Sequence, residues 1–203
     1  MSVTELGPDG RLRCRWAGAA PGFLEYHDTE WGFPVADDRR LFEKLCLEGF
    51  QAGLSWRTIL AKRENFRVAF CGFDFDQVAE FNQADVRRLL ADAGIVRNRG
   101  KIEAAINNAA RARELIASEG SLAAFIWRYE PDSHDLAPAQ MASTSAESIA
   151  LSKELKRRGW RFVGPTTVYA FMQAMGLVND HVEGCVIGGE VRRRRNEFVR
   201  PGR

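Results

Sequence analysis

The run STSAESIALSKELKRRGWRFVGPTTVYAFMQAMG, residues 143–176, constrains the fold more than any other stretch of this chain. Thr144 and Glu147 stand at capping-box spacing, and Gly159 supplies a left-handed stop after the helix that follows. Gly164-Pro165 then restarts a helix with proline at its first position, where the missing amide costs nothing, and Gly176 ends it. The pattern predicts two helices joined by a tight, glycine-bounded hairpin. Backbone N–H groups at such a turn and helix start can hold a phosphate without any cationic side chain. Lys156, Arg157, Arg158 and Arg161 surround it and add local positive charge, although an ordinary helix pair with a basic exposed face has the same pattern.

The same punctuation recurs along the chain. Asp37 or Asp38 caps a helix to about Gln51, and Ser55 caps another through TILAKRENFRVAF. A third runs from Asn82 to Ala93 and stops at Gly94, and Asn98 opens a long one reaching Gly120. Strand-like alternation is almost absent, so the expected class is all-α, with residues 130–144 as a surface excursion. With 203 residues and 45% hydrophobic composition, the chain has ample material for a core. The polar start MSVTELGPDG and the lack of a membrane-length apolar run predict a soluble, cytoplasmic protein. Four cysteines in that compartment are expected as thiols or metal ligands.

Charge is unevenly spread. VRRRRNEFVRPGR, from Val191 onward, carries a net +5 in a chain of formal net charge +2, so residues 1–190 sum to −3. A nucleic-acid partner would have to be held by a local patch, by backbone amides or by this tail rather than by overall charge. Residues 188–203 are expected to be a basic, disordered end.

Two features point to chemistry. In LFEKLCLEGFQAGLSW, Leu41, Leu45 and Glu48 share one helix face, which sets a carboxylate on the apolar stripe. Such a group is paired internally, protonated, or waiting for a ligand with hydrogen-bond donors. Gly49, Gly53 and Trp56 beside it suggest room for a flat ligand. The second feature is GLVNDHVEGC, where His181 and Cys185 lie four positions apart. Alone they make half of a zinc set, but Cys14 and His27 lie upstream among Trp16, Phe23, Tyr26 and Trp31.

Together with RCRW, EYHDTEWGFP, DAGIVRNRGKI, the hairpin run continued to GLVNDH, and the final VEGC, these stretches resemble the type I 3-methyladenine DNA glycosylase family of the helix-hairpin-helix superfamily. The resemblance covers about residues 12–187, leaving 1–11 as an N-terminal extension. It implies a helix-hairpin-helix DNA glycosylase-like fold in which one structural Zn2+ is held by Cys14, His27, His181 and Cys185, joining the N- and C-terminal segments, while Cys46 and Cys71 are core thiols. It implies a monofunctional enzyme that flips 3-methyladenine from alkylated double-stranded DNA and hydrolyses its N-glycosidic bond. Glu48 is the implied catalytic residue, and Tyr26, Trp16, Trp56 and Glu48 bind the base. Gly159, Arg161, Val163, Gly164 and Thr166 of the hairpin contact DNA, and Leu54 fills the gap left in the stack.

A cationic purine favours indole faces and a carboxylate, so charge recognition is the expected source of lesion selectivity. Phe23 departs from the family, which often has tyrosine there, and Asp180 is expected to orient His181 rather than to catalyse. A monomer with no nucleotide cofactor and no membrane association is expected. The competing reading is a zinc-stabilised, non-catalytic binder of damaged or bent DNA, which would have no need of a carboxylate facing a base-sized cavity.

Overall fold

A computed structural model describes residues 3–132 and 138–202. It opens with a short antiparallel hairpin, β1 (Thr4–Leu6) paired with β2 (Leu12–Cys14) in the register Thr4 to Cys14. The expected all-α chain is therefore mostly helical with one small sheet, and the N-terminal extension is folded back onto the body. Arg13 clamps it there, reaching Asp9 at 2.6 Å and Asp28 at 2.8 Å.

Eleven α-helices follow among the described residues. They are α1 (Phe23–Thr29), α2 (Asp38–Gln51), α3 (Trp56–Ala61), α4 (Arg63–Ala69), α5 (Phe75–Ala79), α6 (Gln83–Ala91) and α7 (Arg99–Glu119), then α8 (Leu122–Ile126), α9 (Ala146–Arg157), α10 (Pro165–Ala174) and α11 (Val186–Glu197). None is long and apolar enough to cross a membrane among the described residues.

The caps decide the boundaries. Asp37, not Asp38, caps α2 by accepting the Arg40 amide at 2.8 Å, while Asp38 turns away and accepts the first amides of α8, from Leu122 and Ala123. Ser55 and Asn98 cap α3 and α7 as expected, but the helix expected through Phe70 breaks at Lys62 into α3 and α4. Asn82 caps α6, which ends at Ala91 with Asp92 as its C-cap, before Gly94. The box before α9 is made by Ser145 and Ser148, one position beyond the expected Thr144 and Glu147, because these two hydroxyls exchange bonds with each other's amides.

α2 is the central helix. Leu41, Phe42, Leu45, Leu47 and Phe50 are buried at 0–1% exposure, against Phe66, Phe70, Phe73, Ile102, Leu155, Val168 and Phe171 from the surrounding helices. At the hairpin's far end, Gly176 has φ +82°, and a Cβ there would lie 2.5 Å from Pro34. Only glycine allows the chain to turn against the segment after α1.

Two expectations fail here. The basic end, expected to be disordered, contains α11, because buried Val191 anchors it and Glu130 binds both Arg195 (3.0 Å) and Arg200 (2.7 Å). Cys46 is a buried core thiol, but Cys71 is exposed at a bend with φ +52°. Of the expected surface excursion, residues 130–132 and 138–144 are described, and residues 133–137 lie outside the described set.

Candidate active site and metal centre

α1, α2, α3 and α10 enclose a cavity of about 280 Å³ lined by Trp16, Phe23, Tyr26, Trp31, Glu48, Gln51, Trp56, Ala170 and Gln173. Tyr26 and Trp56 have ring centroids 5.3 Å apart, and Trp16 meets Trp31 edge to face at 4.9 Å. All four base-site residues named from sequence line it together. The helical face that made Glu48 conspicuous aims its carboxylate at an aromatic chamber just below the roughly 300–1,000 Å³ of sites that take drug-sized molecules, as suits a single flat base.

Glu48 is also paired internally. Lys44, one turn earlier on α2, places Nζ 2.8 Å from Glu48 Oε1, and both side chains are almost wholly buried. The same ammonium donates to Tyr26 Oη at 2.8 Å and stands 3.4 Å from the centroid of the Trp56 ring. Burial pushes the Lys44 pKa down against the opposing pull of Glu48, and pushes the Tyr26 phenol well up, helped by the Glu48 charge. Lys44 does not line the base cavity. It borders a smaller space behind it, with Tyr26, Trp56, Glu30, Arg63, Glu43 and Arg67. Sequence reasoning missed it, although its position four residues before Glu48 was the available signal.

The expected room beside Gly49 belongs to the hairpin, not to a ligand, since a Cβ on Gly49 would sit 3.3 Å from Phe162 Cβ. Phe162, half exposed, takes φ +54° in the turn between α9 and α10. Asn108 of α7 holds this turn by accepting the Arg161 amide (2.8 Å) and donating to the Arg161 carbonyl (2.9 Å). The Arg161 amide is thus spent inside the protein, which leaves its side chain as the group that can add charge at the turn. The Gly159 amide is likewise engaged by Lys156 O. Val163 is buried, and its carbonyl accepts from Ser152. Gly164 caps α10 without a side chain, so the first-turn amides around Thr166 carry no side-chain cap. Arg157 and Arg158 are paired with Glu154, whereas Lys156 and Arg161 are exposed. Leu54, 45% exposed, sits on the tight turn after α2.

Next to the aromatic chamber the chain ends meet. Cys14, His27 and Cys185 are buried with their ligand atoms within 4.8 Å of one another, a group that could hold a metal ion. Asp28 accepts from His27 Nδ1 at 2.7 Å, which turns Nε2 inward to 3.5 Å from Cys185 Sγ. His181, the fourth expected ligand, lies outside this tight group but has its ring 4.9 Å from that of His27. Its Nδ1 bonds Asn179 at 2.9 Å, and its buried Nε2 has no partner. Asn179, not Asp180, orients it. Asp180 instead binds the Gln140 amide and the side chain of Gln173, and burial raises its pKa. The hydrogen bond from Cys14 pulls the Cys185 thiol below the usual thiol range while Cys14 is pushed up.

The model of the methyladenine glycosylase family matches residues 16–188. The chain belongs to the methyladenine glycosylase family. It is 48% identical over 177 residues to DNA-3-methyladenine glycosylase 1 of Escherichia coli (strain K12), a match covering 85% of this chain and 95% of that one. It is 44% identical to DNA-3-methyladenine glycosylase of Haemophilus influenzae, over 85% of this chain and 96% of the relative. Among solved structures, a 3-methyladenine DNA glycosylase I superposes with TM-score 0.81 at 47% identity, covering 86% of this chain and 98% of that one. A Staphylococcus aureus structure that describes 3-methyladenine recognition matches with TM-score 0.81 at 36% identity, over 87% and 96%. The family match spans the cavity, the hairpin and His27, His181 and Cys185, and begins two residues after Cys14.

Proposed function

We propose that this chain is a base-excision repair glycosylase that flips 3-methyladenine out of alkylated duplex DNA and hydrolyses its N-glycosidic bond, leaving an abasic site. The observation that carries the reading is a buried carboxylate, Glu48, facing a base-sized chamber walled by Trp16, Tyr26 and Trp56. The curated relatives bear this activity in their names.

The extruded base stacks among the indoles, with its edge on Tyr26 and Glu48. Methylation at N3 leaves the purine cationic, so the bond from N9 to C1′ is weakened before the protein acts. That bond breaks with its electron pair going to the base, water oxygen bonds C1′, and the water's proton passes to solvent. The base departs neutral, and no strong acid is required. The exposed Leu54 takes the vacated place in the stack, and the uncapped start of α10, with Lys156 and Arg161, receives backbone phosphate in the helix-hairpin-helix manner. Lys44 stands behind the wall with its ammonium already engaged, and no lysine lines the cavity among the described residues, so no strand cleavage is expected.

The donor set of two thiols and two imidazoles fits Zn2+, and the orphaned His181 Nε2 beside the Cys14, His27 and Cys185 group supports it as the fourth ligand. Four protein ligands would close the site, so the ion supplies cross-linking and not an activated water. The protein acts as a monomer.

Glu48→Ala should remain folded and keep its affinity for duplex DNA while losing base release by about 100-fold, the worth of roughly 2–3 kcal/mol of charged hydrogen bonding. Release by Glu48→Ala at the wild-type rate would remove Glu48 from the mechanism. DNA binding without release by either protein would establish the non-catalytic binder instead.

A further inference from the structure

Lys44 lies outside the base cavity, yet it touches three of the groups that form its wall. Its ammonium meets Glu48 Oε1 at 2.8 Å, Tyr26 Oη at 2.8 Å and the Trp56 ring at 3.4 Å, at 5% exposure. An ammonium has only donors to give. Where it donates to a phenol oxygen, the phenol's own proton is free to point elsewhere. Where it pairs with a carboxylate, that carboxylate stays an acceptor.

We propose that Lys44 is a positioning residue that sets the hydrogen-bond polarity of the base site, holding Tyr26 as a donor and Glu48 as an acceptor. The proposal rests on the reading that these two residues face the base edge. Adenine presents an N7 acceptor and an N6 amino donor along one edge, whereas guanine presents acceptors at both N7 and O6. A Tyr26 donor beside a Glu48 acceptor matches the first pattern and sets a carboxylate against guanine O6. Without Lys44, the Tyr26 hydroxyl is free to donate to Glu48, which would take the Glu48 acceptor from the N6 amino group, the one donor on this edge that guanine lacks.

The second consequence concerns charge. Lys44 neutralises Glu48 and already lies over Trp56, so two of the groups expected to attract a cationic purine are committed to an internal cation. In this chain, selection between alkylated bases then comes from donor and acceptor pattern more than from net charge. Sites built to hydrogen-bond a substrate reject a mismatched one far more strongly than apolar pockets do, because the mismatch strands buried polar groups.

The test is Lys44→Met, which keeps length and removes the ammonium. Release of 3-methyladenine and of 3-methylguanine would be measured from the same alkylated duplex under single turnover, beside affinity for undamaged duplex. The expected result is a fall of about 10-fold or more in 3-methyladenine release with less than about a 3-fold change for 3-methylguanine, and unchanged affinity for undamaged DNA. A purely structural role would lower both bases together, and that outcome, or an unchanged ratio in folded protein, overturns the proposal. Tyr26→Phe gives an independent arm should Lys44→Met fail to fold. It removes the donor to N7, an acceptor that both bases present, so release of both is expected to fall together, and a loss confined to one base refutes the assignment. In a folded double variant, Lys44→Met should add little to Tyr26→Phe, and full additivity would contradict the shared hydrogen bond. Failure of the wild-type protein to release 3-methyladenine at all would be a failure of the underlying functional reading, separable from every outcome above.

Discussion

The base chamber and the Cys/His group are neighbours built from consecutive residues, Tyr26 and His27 of α1, and they solve the problem of buried polar atoms in opposite ways. In the chamber the chain supplies its own answer, because Lys44 pairs with Glu48 and bonds Tyr26. In the Cys/His group it does not. Two thiols and the His27 ring crowd within 4.8 Å of one another, and His181 Nε2 is buried without a partner. Unpaired buried groups of this kind cost roughly 1–3 kcal/mol each, and the second region is one that could hold a metal ion, whereas the polar groups of the first already have partners in the chain. The two are mechanically joined, since the Trp16 ring lies 5.1 Å from His27 and also walls the chamber.

The largest effect should come from breaking the region that depends on an outside partner. Chelation, or Cys185→Ser, is expected to remove about one zinc per chain and to lower stability by several kcal/mol, read by denaturant unfolding beside metal analysis. Base release should fall with it, because Trp16 loses its anchor. A metal-free protein of equal stability would show that the two regions are not so different after all.

A smaller effect sharpens the comparison by loosening a third element that neither region contains. Asn108→Ala removes both bonds to Arg161 and frees the strained turn at Phe162. Affinity for duplex DNA should drop about 5- to 10-fold irrespective of lesion, corresponding to about 1 kcal/mol, as titrations with alkylated and undamaged duplexes would report. A loss confined to alkylated DNA would mean that the hairpin reads the base.

The smallest expected effect is in pH dependence. Hydrogen bonds from Arg157 and then Arg158 hold Glu154 down to about 2. A carboxylate lowered in the folded state adds stability above its ordinary pKa near 4.5, and that contribution fades as pH falls from there toward 2. Glu154→Gln should flatten part of this acid limb in thermal unfolding, and an unchanged limb would assign it to other carboxylates.

Much of this arrangement was legible in the residues. Glycine, proline and cap side chains marked α2, α7, α9 and α10 because each acts through its own local backbone. Glu48 stood out because it interrupts an apolar face. What stayed hidden depended on contacts distant in the chain. Lys44 reads as an unremarkable lysine until Tyr26 and Trp56 are folded over it, and Asn108 is one amide of a long helix until Arg161 arrives from 53 residues away. The C-terminal arginines read as a solvated tail because like charges repel, and it takes Glu130, 65 residues before Arg195 and 70 before Arg200, to hold them against the body. Asp180 was matched to His181 by adjacency, whereas the loop geometry gives that place to Asn179.

The most direct test of the central claim is the release of free base from methylated duplex DNA by the wild-type protein, with products separated by chromatography. The account predicts 3-methyladenine in the released fraction and 7-methylguanine left in the DNA. No released base at any protein concentration, from folded and zinc-loaded material, would contradict it.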